Sequence, residues 1–549
     1  MSGVAGGVGE DGSGGAPVPA GALPGRPGGM PAADLGVPAR LLHTGPSLDF
    51  AAIRAEFALP AAFPPAVLAE AEEAATTPFD RGAREDVTDL PLVTIDPPGA
   101  RDLDQALCIQ TRPEGFRVHY AIADLGAFVR PGGAVDREAR RRGQTLYLPD
   151  GNVPLHPPVL SEGAASLLPG RVRPAVLWSI DLDRDGEPDL DRVRVRRALV
   201  RSVARLDYAS VGAALDAGCA HPSVAALPAV GRLRRKRALR RGAIELDLPE
   251  QEIRPDGDGR WRLATRPRPD VETWNAEISL LTGMVAAQVM LRGGVGVLRT
   301  VPEPDERLVT DLRHAAAALG VPWPEGAGPA EVLAGLDATR PEVMALYADA
   351  TRLLRGAGYT AFDGAMPEVV AHAGVGAPYA HVTAPLRRLV DRFATEVCLA
   401  VVAGVEVPGW VREALPDVPG WMESSDRLAA QVERACLDQV AAWVLADRVG
   451  QEFDAVVLRT GSRSGSRSGD PVTGAAGRDG SGNGTSGQVG SNGNGSGTGN
   501  GGTNGGTIFV LDPPVMGRCR GGDLSEGERV RVRLVEVNPG RRRVEFARV

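Results

Sequence analysis

Three aspartates, Asp96, Asp102 and Asp104, fall within nine residues around a Pro97-Pro98-Gly99 break, and Gln105 follows them directly. Apolar Pro91-Leu92-Val93 leads into the cluster and Ala106-Leu107-Cys108-Ile109 leads out, so the acids lie beside two short, buried strands. Carboxylates held this close to an apolar strand repel one another and lose hydration unless a cation neutralises them. Hard divalent ions such as Mg²⁺ take oxygen ligands, commonly one or two carboxylates together with waters and substrate phosphates. Asp102 and Asp104 project to the same side if the segment is extended. A solvated, turn-forming cluster with no ion is the other reading of these residues.

Three more groups carry chemistry. In His381-Val382-Thr383-Ala384-Pro385-Leu386-Arg387-Arg388, Thr383 suits an N-cap and Pro385 a first turn, predicting a helix over 384–403. Arg387 and Arg388 would then open the helix, where dipole and guanidinium together favour a phosphate. A surface helix with ordinary charges and a structural His381 is the alternative. In Gly143-Gln144-Thr145-Leu146-Tyr147-Leu148-Pro149-Asp150, Tyr147 could stack on a base, or be a core ring with a hydrogen-bonded hydroxyl. Glu277 stands at the polar edge of an apolar helix over 274–291, where an acid more often meets only solvent.

The elements that must position these residues change character along the chain. Residues 1–45 are Gly/Pro/Ala-rich and expected to be disordered. Residues 46–84 predict two short helices divided by Pro60, Pro64 and Pro65. Strands are predicted at 92–95, 106–109, 116–122, 175–182 and 192–205, the last with one basic face. A basic helix spans 225–242, and further helices fall at 303–319, 329–337, 340–356 and 425–449. The stretch 461–506 is a Gly/Ser/Asn/Thr tract expected to be disordered. Strand-like runs flank it at 453–458, 507–511, 529–537 and 543–546. They predict one small five-stranded OB barrel whose hairpin loop is expanded, because loop closure entropy grows slowly with length.

At 549 residues, 43% hydrophobic and 24% charged, the composition is that of a soluble globular protein of two or three domains. No apolar run reaches the roughly 18–20 residues of a membrane span, and the first residues lack a secretory pattern. Cys108, Cys219, Cys398, Cys436 and Cys519 have no CxxC spacing and suit reduced thiols in the cytoplasm. The formal charge is -8, so an anionic partner must meet local basic patches. Arginine supplies these, since Lys236 is the only lysine.

Four segments in order, TIDPPGARDLDQAL, VHYAIADLGAFVRPGGAVDREARRRGQTLYLPDGNVPLHPPVLSEGAASLLPG, WNAEISLLTGMVAAQVM and YAHVTAPLRRLVDRF, resemble the catalytic (RNB) domain of the ribonuclease II family. The resemblance covers about residues 85–445, and the terminal β-module resembles the OB-fold RNA-binding domain that follows it in this family. It implies an α+β chain: an RNB catalytic domain over 85–448, with mixed β-sheets surrounded by helices, and an all-β OB-fold domain over 449–549 interrupted at 461–506. It further implies a processive Mg²⁺-dependent hydrolase, with Mn²⁺ as a possible substitute. Such an enzyme shortens single-stranded RNA from the 3′ end to nucleoside 5′-monophosphates. It would work as a cytoplasmic monomer with no membrane and no obligate protein partner.

Carried over by motif, Asp96, Asp102 and Asp104 are metal ligands. Gln105 stands where the family has a fourth Asp, and its carbonyl would complete the set without adding charge. Asp102, Asp104 and Arg387 are the catalytic residues, Arg387 contacting the scissile phosphate. Tyr147 stacks on the 3′-terminal base, and Arg388, Glu277 and Glu433 line the substrate path. Ala121 replaces a histidine common in the family. Two cold-shock domains do not fit before Asp96, so RNA threading is expected to rely on the basic helix at 232–241, the RNB surface and the terminal module. Gln105 keeps one rival in view, an RNA-binding regulator with a weakened site. A structured-RNA-trimming enzyme is another.

Overall fold

The computed structural model describes residues 49–246, 250–255, 261–266, 268–460 and 505–549. The disorder expected over 1–45, and over 461–506 as far as residue 504, lies outside these residues. Two short helices, Ala51–Glu56 and Pro65–Thr76, come first, the second opened by Pro65 in its first turn, where a missing N–H costs nothing.

Strands Leu92–Ile95, Gln105–Arg112, Gly115–Ala123 and Val172–Asp183 then lie side by side, antiparallel. Arg194–Leu206 joins both ends. Its first half pairs antiparallel with Val172–Asp183, and its last residues pair parallel with Leu92–Ile95, so the pairings run in a ring. These strands are covered on both faces, which is why they read as continuous apolar runs. Leu107, Ile109, Val118, Tyr120 and Trp178 pack towards helices Asp270–Gly293 and Leu389–Ala403. Alternate residues Ala106, Cys108, Ala121 and Leu177 pack on the opposite face with Val67, Leu125 and Leu160.

The C-terminal module is a closed barrel of Glu452–Thr460, Gly506–Leu511, Pro514–Arg520, Arg529–Asn538 and Arg543–Arg548, in the spatial order first, second, third, fifth, fourth. The Val/Arg alternation of Arg529–Asn538 resolves as Val530, Val532 and Leu534 inward with Arg529, Arg531 and Arg533 outward. Helix Val418–Leu445 packs against both this barrel and the hairpin that carries Tyr147. No described helix is long and apolar enough to cross a membrane.

Several expectations change. The helix predicted over 384–403 begins at Leu389. The one predicted over 425–449 runs Val418–Leu445, and 340–356 divides into helix Pro341–Ala350 and a 3₁₀ turn Thr351–Leu354. Gly506 belongs to a barrel strand, paired with Thr460, so the tract before it is shorter than 461–506. Strand Pro514–Arg520 was not predicted, because Gly517 and two arginines hide its alternation. The basic helix, Leu227–Arg240, is not wholly a surface for anions: Arg234 is fully buried and donates to the Gly186 carbonyl at 2.7 Å.

Candidate active site

The acidic loop starts where Leu92–Ile95 ends. Pro97 and Pro98 cannot donate to a ladder, and Gly99 turns the chain at a φ of +88°. The return leg is fastened from behind by fully buried Ser166. Its hydroxyl accepts from Leu103 N–H at 3.0 Å and donates to Arg101 C=O at 2.6 Å. Arg205 adds a bond to Ala100 C=O at 2.9 Å. Leu103 is thereby locked into the core, and the flanking Asp102 and Asp104 project the other way.

The Thr383–Arg388 segment closes over this loop as a turn. Asp104 Oδ1 accepts from Leu386 N–H at 2.7 Å, and Asp391 Oδ1 accepts from Ala384 N–H at 2.6 Å. Gln105 Nε2 donates to Thr383 C=O at 2.6 Å. The following residues dock on the Tyr147 segment, Thr145 N–H to Arg387 C=O and Leu389 N–H to Gly143 C=O, both at 2.9 Å. Asp104 therefore takes the Leu386 donor that the predicted Thr383 cap would have served, and Asp391 takes the Ala384 donor beside it. Pro385 also biases Ala384 away from helix, which is why the helix starts late.

This arrangement brings Asp96, Asp102, Asp104, Tyr147 and Arg387 into one electrostatic neighbourhood. Arg387 Nε stands 3.6 Å from Asp104 Oδ2, with 42% of the arginine side chain exposed against 6% of the aspartate. Tyr147 sits mid-strand in Leu146–Leu148, with Leu146 and Leu148 inward and Tyr147 itself 53% exposed. Its hydroxyl donates to Asp102 Oδ2 at 3.2 Å, so the ring is free while the hydroxyl is anchored. Burial pushes the Asp104 carboxyl up to about 8 against the pull of Arg387. Burial, then the Asp102 charge, raises Asp96 to about 6. The nearby Thr94 hydroxyl pulls the other way, and Asp96 Oδ2 is buried with no hydrogen bond of good geometry.

Other expected site residues are placed differently. Gln105 is engaged on both sides of its amide: Tyr120 Oη donates to its Oε1 at 2.6 Å while its amide nitrogen serves Thr383. Arg388 is bound through two 2.9 Å bonds to Asp391 and is mostly buried, so it braces the turn and is not presented to a substrate. Glu277 is buried, and burial lifts its carboxyl to about 7; the charges acting on it are Arg234, Glu245, Arg241 and Arg235, away from the acidic loop. It is therefore neither a solvated face residue nor a member of this group. Glu433 is exposed on helix Val418–Leu445. Ser166 and Tyr120 were not singled out in the sequence. Ser166 lies in the SEGAASLLPG run and Tyr120 in VHYAIAD, but neither residue type announces its partner.

The donors present are all carboxylate oxygens, one of them orphaned, with no Cys or His among them. That set suits a hard divalent ion. Among the described residues, no three His, Cys, Asp or Glu side chains are arranged to hold a metal ion by themselves. Mg²⁺ does not need such a cage, since it keeps waters and shares substrate phosphates.

Residues 84–402 match the family model of the RNB domain. The chain belongs to the RNB family. Residues 497–549 match the RNase II-type exonuclease C-terminal S1 domain. The RNB domain is thus followed by an OB-fold S1 domain; that match begins at residue 497, inside the low-complexity tract that separates the barrel's first strand from its other four in sequence. Ribonuclease R of Escherichia coli (strain K12) is 30% identical over 404 residues, covering 69% of this chain and 49% of the relative. The chain therefore spans about half the length of that relative. Mycoplasma genitalium RNase R in its apo form superposes with a TM-score of 0.75 at 19% identity, over 91% of this chain and 77% of that one. A yeast pseudonuclease superposes with a TM-score of 0.57 at 16% identity, over 70% of this chain and 49% of that one. At these identities the likeness is one of fold.

Proposed function

We propose that this RNB protein is a Mg²⁺-dependent exoribonuclease that removes nucleoside 5′-monophosphates from the 3′ end of single-stranded RNA, with Mn²⁺ able to substitute. It would act in the cytoplasm as a monomer. The observation that carries the reading is the docking of the arginine turn on Asp104, which sets a half-exposed guanidinium beside three clustered carboxylates and an exposed aromatic ring. The RNA complexes of Mycoplasma genitalium RNase R, one with ribose-methylated single-stranded RNA and one with double-stranded RNA, support an RNA substrate.

Asp96, Asp102 and Asp104 would hold the metal, which when bound supplies Lewis-acid polarisation of a phosphate and an activated water. The chain's own residues do the positioning. The exposed Tyr147 face stacks on the terminal base, a contact worth about 1–3 kcal/mol. Its hydroxyl keeps the ring aligned with Asp102. Arg387 donates to a non-bridging phosphate oxygen and offsets charge as the bond to the leaving 3′-oxygen breaks. Asp104 holds that guanidinium in place through the Leu386 amide as well as through charge.

A 5′-labelled single-stranded RNA incubated with the protein and Mg²⁺ should shorten stepwise to a limit product of a few nucleotides. RNA left intact in both Mg²⁺ and Mn²⁺ would sink the enzyme reading. The second reading, an RNA-binding regulator with a weakened site, is favoured by one observation: the position that could supply a fourth ligand is occupied by a glutamine whose amide is already hydrogen-bonded. RNA that is bound but not shortened would support it.

A further inference from the structure

We infer that Gln105 is a positioning residue for the Arg387 turn, held by Tyr120 and Ser279, and not a metal ligand. The inference deepens the hydrolase reading and rests on it for its effect on catalysis. Asp104 and Gln105 are consecutive, and both reach the same turn from the strand edge. Asp104 Oδ1 takes the Leu386 amide proton at 2.7 Å, and Gln105 Nε2 gives a proton to the Thr383 carbonyl at 2.6 Å. The two bonds fasten the turn on either side of Ala384-Pro385, just ahead of Arg387.

The orientation of the Gln105 amide follows from its partners. A carbonyl oxygen can only accept, so Thr383 must face the NH₂ group, and Oε1 is left to face Tyr120. Tyr120 lies on the neighbouring strand, is 1% exposed, and donates its hydroxyl to Oε1 at 2.6 Å. Ser279 Oγ, on helix Asp270–Gly293, meets the same hydroxyl at 2.9 Å. The chain Ser279–Tyr120–Gln105–Thr383 thus links the long core helix to the arginine turn. A carboxylate at position 105 has no proton for Thr383 and would set a negative charge against its carbonyl oxygen. The glutamine is therefore matched to a turn fastened this way, and an acid is not.

Three variants of the full chain test this: Gln105→Ala, Gln105→Glu and Tyr120→Phe. Two readouts do not need activity, namely Mn²⁺ affinity by electron paramagnetic resonance and hydrogen exchange of the 383–389 segment. In all three variants, exchange of that segment should quicken about tenfold or more, while Mn²⁺ affinity changes by no more than about threefold. On RNA, kcat should fall about 10- to 100-fold with KM little changed, and Gln105→Glu should be no better than Gln105→Ala. The inference is overturned if exchange is unaltered, if Gln105→Ala weakens Mn²⁺ binding about tenfold, or if Gln105→Glu keeps full activity as a substitute ligand would. Tyr120→Phe guards against misfolding, since it removes one oxygen and keeps the ring. A wild-type protein inert on RNA would overturn the proposed function and leave the binding and exchange results to decide the clamp on their own.

Discussion

The guanidinium of Arg54 meets both carboxylate oxygens of Asp150, at 2.8 and 2.7 Å. This pair ties the first described helix to the hairpin that presents Tyr147. The Phe50 amide adds a longer bond to the same aspartate at 3.4 Å. Arg54 holds the Asp150 carboxyl below the usual range, the sign of a pair that favours the ionised form. Arg54→Ala should loosen the hairpin by about 1 kcal/mol. Because the hairpin carries the ring proposed to stack on a base and no proposed reacting group, KM for RNA should rise several-fold with kcat nearly constant. A double-mutant cycle with Tyr147→Ala checks the route: the two losses should be less than additive. Full additivity would show that Arg54 acts elsewhere.

Asp104 has two duties that one substitution can separate. In Asp104→Asn the amide oxygen can still accept from Leu386 N–H, so the turn keeps its bond and only the charge is lost. RNA affinity should stay within a few-fold of wild type while turnover falls about 10³-fold or more. Asp104→Ala removes both duties and should in addition quicken exchange of the 383–389 segment. Equal exchange in the two variants would contradict the double role.

Burial raises Asp96 to about 6, Glu277 to about 7 and Asp104 to about 8, all above ordinary carboxyl values. For each, the folded state keeps a proton that the unfolded chain has released. The contribution of these three groups to metal-free stability should therefore be full below about pH 4 and lost as pH rises through about 8, while His119, His156, His372 and His381, held neutral by burial, add the opposite slope as pH falls below about 6.5. A divalent ion needs the Asp96 and Asp104 carboxylates ionised, so its stabilisation should grow across the same window and its binding should release protons. Melting temperatures in EDTA and in saturating Mg²⁺, measured from about pH 5 to pH 8, check both slopes. A gap between the curves that narrows with rising pH would contradict this. Glu277 lies outside the metal neighbourhood, so some of the EDTA slope should persist with metal.

Thr460 pairs directly with Gly506, so the described strands on either side of residues 461–504 end and begin at adjacent points of the barrel. Replacing them with a short Gly/Asn turn should preserve the barrel, measured by circular dichroism, and keep RNA hydrolysis within a few-fold. Loss of the barrel's melting transition would show that the tract contributes to folding.

The central strands were legible because Leu92–Ile95 and its neighbours are covered on both faces and read as unbroken apolar runs between turn residues. The barrel's fourth strand was legible for the opposite reason: Val530, Val532 and Leu534 alternate cleanly with arginines. The turn at Thr383–Arg388 was misread. Its local signals, a threonine followed by a proline, are those of a helix start, and the groups that override them come from Asp104 and Gln105, far away in sequence. Gln105 reads as a ligand because it stands beside aspartates, and its bonds to Tyr120 and Thr383 leave no trace in the local sequence. Glu277 was placed on a helix face correctly, but the face is covered by the helix bearing Arg234. Position along the chain recorded the strands and the acids. It did not record which acids serve as hydrogen-bond acceptors for the backbone.

The bond from Leu386 N–H to Asp104 Oδ1 joins residues 282 positions apart. A chain made from its N-terminus therefore exposes the three carboxylates long before the arginine turn exists to meet them. Until Asp391 has been added, no Ala384 amide is fastened and no guanidinium stands beside Asp104. A growing polypeptide cannot assemble this centre while most of its RNB domain is still unmade. The site's contacts thus report that the chain has been made at least as far as Asp391, and a product truncated before the arginine turn lacks the centre.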